Sequence, residues 1–300
     1  MPIIIQDDLP AIRALENEGI FLLPRSEALQ QDIRALQVCL LNLMPTKVET
    51  ETQIARLLAN SPLQVELTLL QTATHKATNT SEEHLLQFYK TFDQVKDRRF
   101  DGLIVTGAPV ETMPFTDVDY WPELVSILEW SRSNVHACLF ICWGAQAALH
   151  HFHGIPKHRL PAKYSGVYKH KLISPYKAPV CRGIDDEFWV PVSRYTEVKR
   201  EDVQKVPVLD ILAESPGAGL YLVHDRQRRR LYSFNHAEYD PETLDREYRR
   251  DLARGLNPAV PCNYYPDDDP AMPPIVRWRS HAWILFANWL NYEVYQGFIP

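Results

Sequence analysis

The chain reads as an α/β fold, a mostly parallel sheet flanked by helices, and three observations predict it. Four apolar runs of strand length, 35–43, 63–70, 100–106 and 135–142, alternate with three segments of helical periodicity. The runs are apolar at nearly every position instead of every second one, which is the pattern of strands covered on both faces. With 300 residues, 45% hydrophobic and 23% charged, the chain can bury a large core, so disordered, collagen-like and coiled-coil readings fall away.

An N-terminal segment of about residues 1–34 is expected to pack on a single domain spanning 1–300. The first helical segment, 49–60, repeats Ile54, Leu57 and Leu58 on one face. The second, 81–92, opens with Ser81-Glu82-Glu83, a serine able to cap the first N–H groups. The third, 121–133, carries Leu124, Ile127 and Leu128. The resulting order, β-α-β-α-β-α-β, is that of sheets whose ligands bind beyond the carboxyl ends of the strands. Short β-like runs follow at 209–213, 219–223 and 230–234, then a helix over 241–254 and a proline-rich loop over 257–274. A last helix, 279–295, has an apolar face of Trp283, Phe286, Trp289 and Leu290, read as core or subunit interface.

Lys and Arg number 32 against 38 Asp and Glu, a net charge of −6, and no long basic run is present. A nucleic-acid or anionic-membrane partner is therefore not expected. The start MPIIIQDDLP has no basic n-region and no run approaches 18 apolar residues, so a cytoplasmic chain is expected. Five scattered cysteines without a CxxC argue against a disulfide framework or a structural zinc site. His150, His151 and His153 lack an acidic or cysteine partner at ligand spacing and read as a polar helix end, so no metal is expected. Asp267, Asp268 and Asp269 read as a solvated loop. Arg228, Arg229 and Arg230 read as an exposed turn or as contacts to an anionic ligand, and Lys47 as a helix-start lysine or a site residue.

The sharpest local signal is Leu139-Phe140-Ile141-Cys142-Trp143-Gly144-Ala145-Gln146, an apolar strand running into cysteine and a small-residue helix start. A thiol at such a turn stands above the sheet at a helix N-terminus, whose partial positive charge favours thiolate and whose N–H groups can hold an oxyanion. The bland alternative is one more buried cysteine at a strand end. A base is available in Phe234-Asn235-His236-Ala237-Glu238, where i and i+2 project together if the backbone is extended. His236 would take the thiol proton and Glu238 would orient the imidazole, completing a triad with Cys142.

The Cys-x-Gly-x-Gln elbow and the His-x-Glu pair resemble those of class I glutamine amidotransferases, a flavodoxin-like fold. They resemble still more closely the homoserine O-acyltransferases of the homoserine transsuccinylase type, which share that fold. The likeness spans the whole chain: Leu41-Asn42-Leu43-Met44-Pro45 with Lys47, Glu49-Thr50-Glu51, Asp101-Gly102-Leu103-Ile104-Val105-Thr106-Gly107-Ala108-Pro109, Tyr120-Trp121, Ser193-Arg194-Tyr195, Trp278-Arg279-Ser280-His281 and Asn288-Trp289-Leu290-Asn291-Tyr292. The resemblance implies acyl transfer from an acyl-CoA co-substrate to the γ-hydroxyl of L-homoserine by a ping-pong scheme in methionine biosynthesis, in a homodimer without a bound cofactor. It implies Cys142 as acyl-thioester nucleophile, His236 as base and Glu238 as its orienter. It implies Lys163, Ser193 and Arg250 as substrate-binding residues, with Arg249 a rival that points about 100° away on the same helix. The backbone N–H of Trp143 and one from the 109–111 loop are oxyanion-hole candidates. Two departures stand out. The family often has Gly-His-Pro-Glu where this chain has Asn235-His236-Ala237-Glu238, and a histidine where it has Val192.

In this family the residue at position 111 is associated with donor choice, and glutamate resembles the acetyl enzymes. The physics agrees, because a succinyl carboxylate against Glu111 sets like charges together in a partly desolvated pocket. Acetyl-CoA is the expected donor, and succinyl-CoA the alternative. A glutaminase-type thiol hydrolase and a catalytically silent α/β module are the more distant readings.

Overall fold

The computed structural model describes residues 3–20, 22–28, 34–74, 80–173 and 178–296. Among these, twelve strands join one sheet: β1 (Ile3–Ile5), β2 (Leu22–Pro24), β3 (Leu36–Leu41), β4 (Val65–Leu70), β5 (Tyr89–Lys90), β6 (Phe100–Val105), β7 (Val135–Ile141), β8 (His158–Leu172), β9 (Glu187–Glu197), β10 (Leu209–Ser215), β11 (Gly219–Asp225) and β12 (Arg230–Ser233). The helices are α1 (Ala11–Asn17), α2 (Arg25–Ala28), α3 (Lys47–Ala59), α4 (Glu82–Phe88), α5 (Trp121–Asn134), α6 (Trp143–His153), α7 (Arg200–Gln204), α8 (Thr243–Ala253) and α9 (Arg279–Asn288). The spatial order is β2-β1-β4-β3-β6-β7-β12-β11-β10-β8-β9, with β5 beside β4. Neighbours are parallel from β2 to β12 and antiparallel from β12 to β9. The fold class is the mostly parallel α/β sheet expected.

The unbroken apolar strands follow from helices on both faces. Val38, Leu40, Ile104, Leu139 and Ile141 turn toward Ile54, Leu57 and Leu58 of α3 and toward Leu285 and Phe286 of α9. Their neighbours Cys39, Leu41, Leu103, Val105, Cys138 and Phe140 turn the other way, onto Leu124, Ile127 and Leu128 of α5 and onto α6. With period 2 and two cores, every position is buried, so alternation disappears from the sequence.

Two helix ends and one pair of strands differ from the sequence expectation by more than two residues. The helix expected over 81–92 ends at Phe88, because Tyr89 turns extended and its hydroxyl donates to the buried Glu51 carboxylate at 2.7 Å. Ser81 caps that helix as anticipated, its Oγ accepting from the His84 N–H. The last helix, expected over 279–295, is α-helical only over Arg279–Asn288 and continues as a π-helix over Trp289–Tyr295. There the Trp289 ring fills the space beside Gly102, where a Cβ would come within 2.8 Å of it. Trp289, Phe286 and Leu290 are buried within the chain, so this face is core. The third difference is the largest. A 15-residue strand, β8, pairs with β9 as a long antiparallel hairpin that no apolar run announced. Its half-exposed face and its lysines, tyrosines and histidines mask the β pattern.

The Arg228–Arg230 turn enters β12 at the end of the sheet opposite the one where β7 delivers Cys142, since the two strands run parallel. Arg230 lies over the Phe152 ring at 3.6 Å.

Candidate active site

The nucleophile elbow is built from a strained residue, Cys142, with two glycines, Gly107 and Gly144, packed close to it. Cys142 has φ 51° and ψ −117°, a region that side-chain-bearing residues rarely occupy and that persists only where the surroundings enforce it. The enforcement is visible: its N–H donates to Ser233 O of β12 at 2.7 Å, and its carbonyl accepts from Ala145 and Gln146 in the first turn of α6. A Cβ on Gly144 would lie 2.5 Å from Thr106 O and 3.0 Å from Val105 O, so only glycine lets α6 start this close to β6. A Cβ on Gly107 would lie 3.2 Å from Cys142 Cβ and 3.7 Å from both its Sγ and His236 Cε1. Gly107 thus roofs the sulfur and the imidazole together. Trp143 is the first helical residue, so its N–H has no intrahelical acceptor and stands beside the thiol.

The base and its orienter meet through a turn and not through the extended strand end that the sequence suggested. β12 ends at Ser233, and the following turn brings His236 Nδ1 within 2.7 Å of Glu238 Oε1. The absence of the family's proline at 237 is compensated by three ties: His236 N–H to Pro191 O at 2.9 Å, Ser233 Oγ to Asn235 O at 3.1 Å, and Asn235 Nδ2 to His170 Nε2 at 2.8 Å. The imidazole also stacks on Tyr239 at 4.2 Å. Burial works against a charged ring here. The charges of Cys142 and Glu238, both hydrogen-bonded to His236, outweigh it and hold its pKa well above the ordinary histidine value.

The other cysteines are set apart. Burial pushes Cys39 and Cys181 up to about 12 and Cys138 up to about 11, and all five thiols are free. Such groups are poor nucleophiles, whereas Cys142 alone among the buried thiols adjoins a histidine and a helix N-terminus.

Beside the triad lies a charged cluster whose hub the sequence reading missed. Glu247 of α8 accepts Lys163 Nζ at 3.0 Å and Ser193 Oγ at 2.5 Å on one oxygen, and the Tyr239 hydroxyl at 3.0 Å on the other. Burial opposes its charge, but the Lys163 ammonium and these hydrogen bonds keep its carboxyl below the usual range. Asp251, one turn on, accepts Lys163 at 3.3 Å and Arg250 Nε at 2.8 Å. Arg249 points elsewhere, to Asp245 at 3.1 Å and Pro270 O at 2.6 Å. Of the two rivals, Arg250 is therefore the one joined to the Lys163 cluster. An i, i+4 pair of acids on a helix whose other inward residues are Thr243 and Leu244 was the signal available for Glu247. Val192, where the family has histidine, is fully buried, and the polar groups beside Ser193 come from α8 and β8 instead.

Glu111 is not a solvated loop residue. Its Oε2 accepts the Tyr195 N–H at 2.9 Å and faces the Thr196 hydroxyl at 3.3 Å. Burial pushes its pKa up, opposed by the Tyr195 N–H and the His236 and Lys163 charges. Lys47 is only 6% exposed, donating to Asn42 O at 2.6 Å, and burial lowers its pKa to about 8. His150 stacks on Phe115, His151 meets Glu129 at 2.6 Å, and His153 stands 3.8 Å from Asp225. Asp268 and Asp269 accept loop N–H groups from Asn263 and Ala271, each at 2.9 Å. Among the described residues no group of three or more His, Cys, Asp or Glu is arranged to hold a metal ion, and no helix is long and apolar enough to cross a membrane.

The same chain matches the homoserine O-succinyltransferase family over residues 2–298. It belongs to that family. A protein of Synechococcus sp. named homoserine O-acetyltransferase is 63% identical over 99% of both chains. Relatives of the same name from Clostridium novyi, 56% identical, and Thermotoga petrophila, 55% identical, cover 99% of this chain and 98% and 97% of their own. Among solved structures, a glutamine amidotransferase from Thermotoga maritima has a TM-score of 0.54 at 14% identity, covering 88% of this chain and 100% of its own. One from Methylobacillus flagellatus has a TM-score of 0.51 at 13% identity, covering 86% and 95%. At these identities the likeness is one of fold, the glutamine amidotransferase-like fold expected from the elbow.

Proposed function

We propose that the protein is a homoserine O-acetyltransferase of methionine biosynthesis, acting in the cytoplasm as a homodimer and taking acetyl-CoA as its acyl donor. The observation that carries the reading is the junction of the two clusters. A hydrogen-bonded Cys142–His236–Glu238 set stacks through Tyr239 onto a subsite holding both signs of charge, Glu247 against Lys163. The names of full-length relatives support the same activity.

In the first half-reaction the Cys142 sulfur attacks the thioester carbonyl, forming a C–S bond while the carbonyl electrons move to oxygen. The Trp143 N–H is the donor we assign to that oxyanion, and the second, expected from the 109–111 loop, is reassigned to a backbone N–H nearer Gly107, the residue that packs on Cys142. Collapse breaks the bond to CoA, whose thiolate takes the proton from His236 Nε2. Having taken the Cys142 proton and passed it to the departing CoA, His236 meets the acceptor as a neutral base.

In the second half-reaction His236 takes the proton of the homoserine hydroxyl as its oxygen attacks the acyl-thioester. Collapse expels the Cys142 sulfur and regenerates the starting pair. A zwitterionic amino acid offers its ammonium to Glu247 and its carboxylate to Lys163 and Arg250, exchanging internal ion pairs for equivalent ones. Ser193 steadies Glu247. Glu111 disfavours a donor whose acyl chain ends in a carboxylate.

Intact-mass spectrometry after brief exposure to acetyl-CoA or succinyl-CoA, followed by L-homoserine, tests the scheme. An acetyl adduct on Cys142 that homoserine discharges is expected. A succinyl adduct would overturn the donor, and no adduct from either would overturn the covalent route.

A further inference from the structure

Donor choice at Glu111 depends on where its carboxylate stands, and a glutamate on a loop has three rotatable bonds with which to leave. Three contacts hold it. Lys157 Nζ donates to Glu111 O at 2.6 Å and Met113 O at 2.5 Å, fixing the backbone. The Tyr195 N–H holds the carboxylate, but any residue at 195 would supply that bond. The third contact is written in a side chain: the Thr196 hydroxyl, 3.3 Å from Glu111 Oε2.

Thr196 is itself locked. Gln146 Nε2 donates to Thr196 O at 3.3 Å and so seats the main chain, while the one hydrogen of the Thr196 hydroxyl is shared between two acceptors, Gln146 Oε1 at 2.9 Å and Glu111 Oε2 at 3.3 Å. Gln146 is 1% exposed and stands four residues beyond Cys142, one turn along α6. The acid is thus referenced to the helix that begins at the nucleophile, through Gln146 and Thr196.

We propose that Thr196, seated by Gln146, is a donor-selecting positioning residue that holds the Glu111 carboxylate where an acyl chain ending in a carboxylate must meet it. The assignment rests on the reading of Glu111 above. Without the hydroxyl, the carboxylate can swing toward solvent and the like-charge penalty shrinks.

The test compares kcat/KM for acetyl-CoA and succinyl-CoA, each ratio taken within one preparation so that any loss of folded protein cancels. Thr196→Val should lower the acetyl preference about tenfold, Thr196→Ser should restore it to within about twofold, and Thr196→Val should add nothing in a Glu111→Gly background. If the valine enzyme does not fold, Thr196→Ala reads the same loss without a branched replacement. A preference that collapses in Glu111→Gly but survives the loss of the Thr196 hydroxyl overturns this inference and leaves the Glu111 reading standing. A preference unchanged in Glu111→Gly overturns that reading itself.

Discussion

The parallel and antiparallel halves of the sheet divide the chemistry between them. The parallel half, from β3 to β7, is buried on both faces and delivers Cys142 from a strand end under Gly107, with no adjustable loop in between. The antiparallel half, above all β8 and β9, is half exposed and brings Lys163, Ser193 and Thr196 to the site, facing Glu247 and Asp251 of α8. His236 lies on the seam, its turn following β12 and its N–H tied to β9. Bond-making atoms thus sit where packing allows least movement, and Lys163, Ser193 and Thr196 sit on a hairpin that buries Phe188, Val190 and Val192 on the core and leaves other positions partly exposed.

The largest effect should come from the parallel half. Cys142→Ala should abolish the covalent adduct and lower turnover about 10⁴-fold, with the melting temperature little changed, as followed by mass and by CoA release. On the other side of the seam, Glu247→Gln should raise the homoserine KM or lower acceptor kcat/KM by about 100-fold, while single-turnover acylation by acetyl-CoA stays near wild type. A loss in both half-reactions would break the proposed division. Gly144→Ala attacks the parallel frame itself: its methyl group would press on the Thr106 and Val105 carbonyls, and calorimetry should show about 1–3 kcal/mol of destabilisation. The smallest effect is one of pH. Burial raises the Glu111 pKa, so its charge is complete only above that value and is lost as pH falls through it. The preference for acetyl-CoA over succinyl-CoA should therefore narrow at lower pH in wild type and stay flat in Glu111→Gln, read as the ratio of CoA-release rates across pH.

The same division governed what could be read from the chain. The apolar runs gave β3, β4, β6 and β7 within two residues at each end, and the helices between them, because two-sided burial leaves a strong signal. The Cys142 elbow was legible because its constraints are local: a strand, a thiol and a glycine two residues on. β8 escaped notice because a half-exposed strand rich in lysine and tyrosine resembles a loop. Glu247 escaped with it, since an acid on a polar helix means nothing until Lys163, 84 residues away, closes on it at 3.0 Å.

The sequence by itself determined the parallel α/β framework, the placing of Cys142 at its elbow and the presence of a His-x-Glu pair, because each follows from periodicity or near-neighbour stereochemistry. Only the tertiary structure decided that Arg250 and not Arg249 joins the Lys163 cluster, that Glu247 is its hub, and that Glu111 is held by Tyr195 and Thr196. Those are pairings of charges and hydrogen bonds across sheet and helix, and their free energy depends on burial and separation in space, which no stretch of sequence encodes locally.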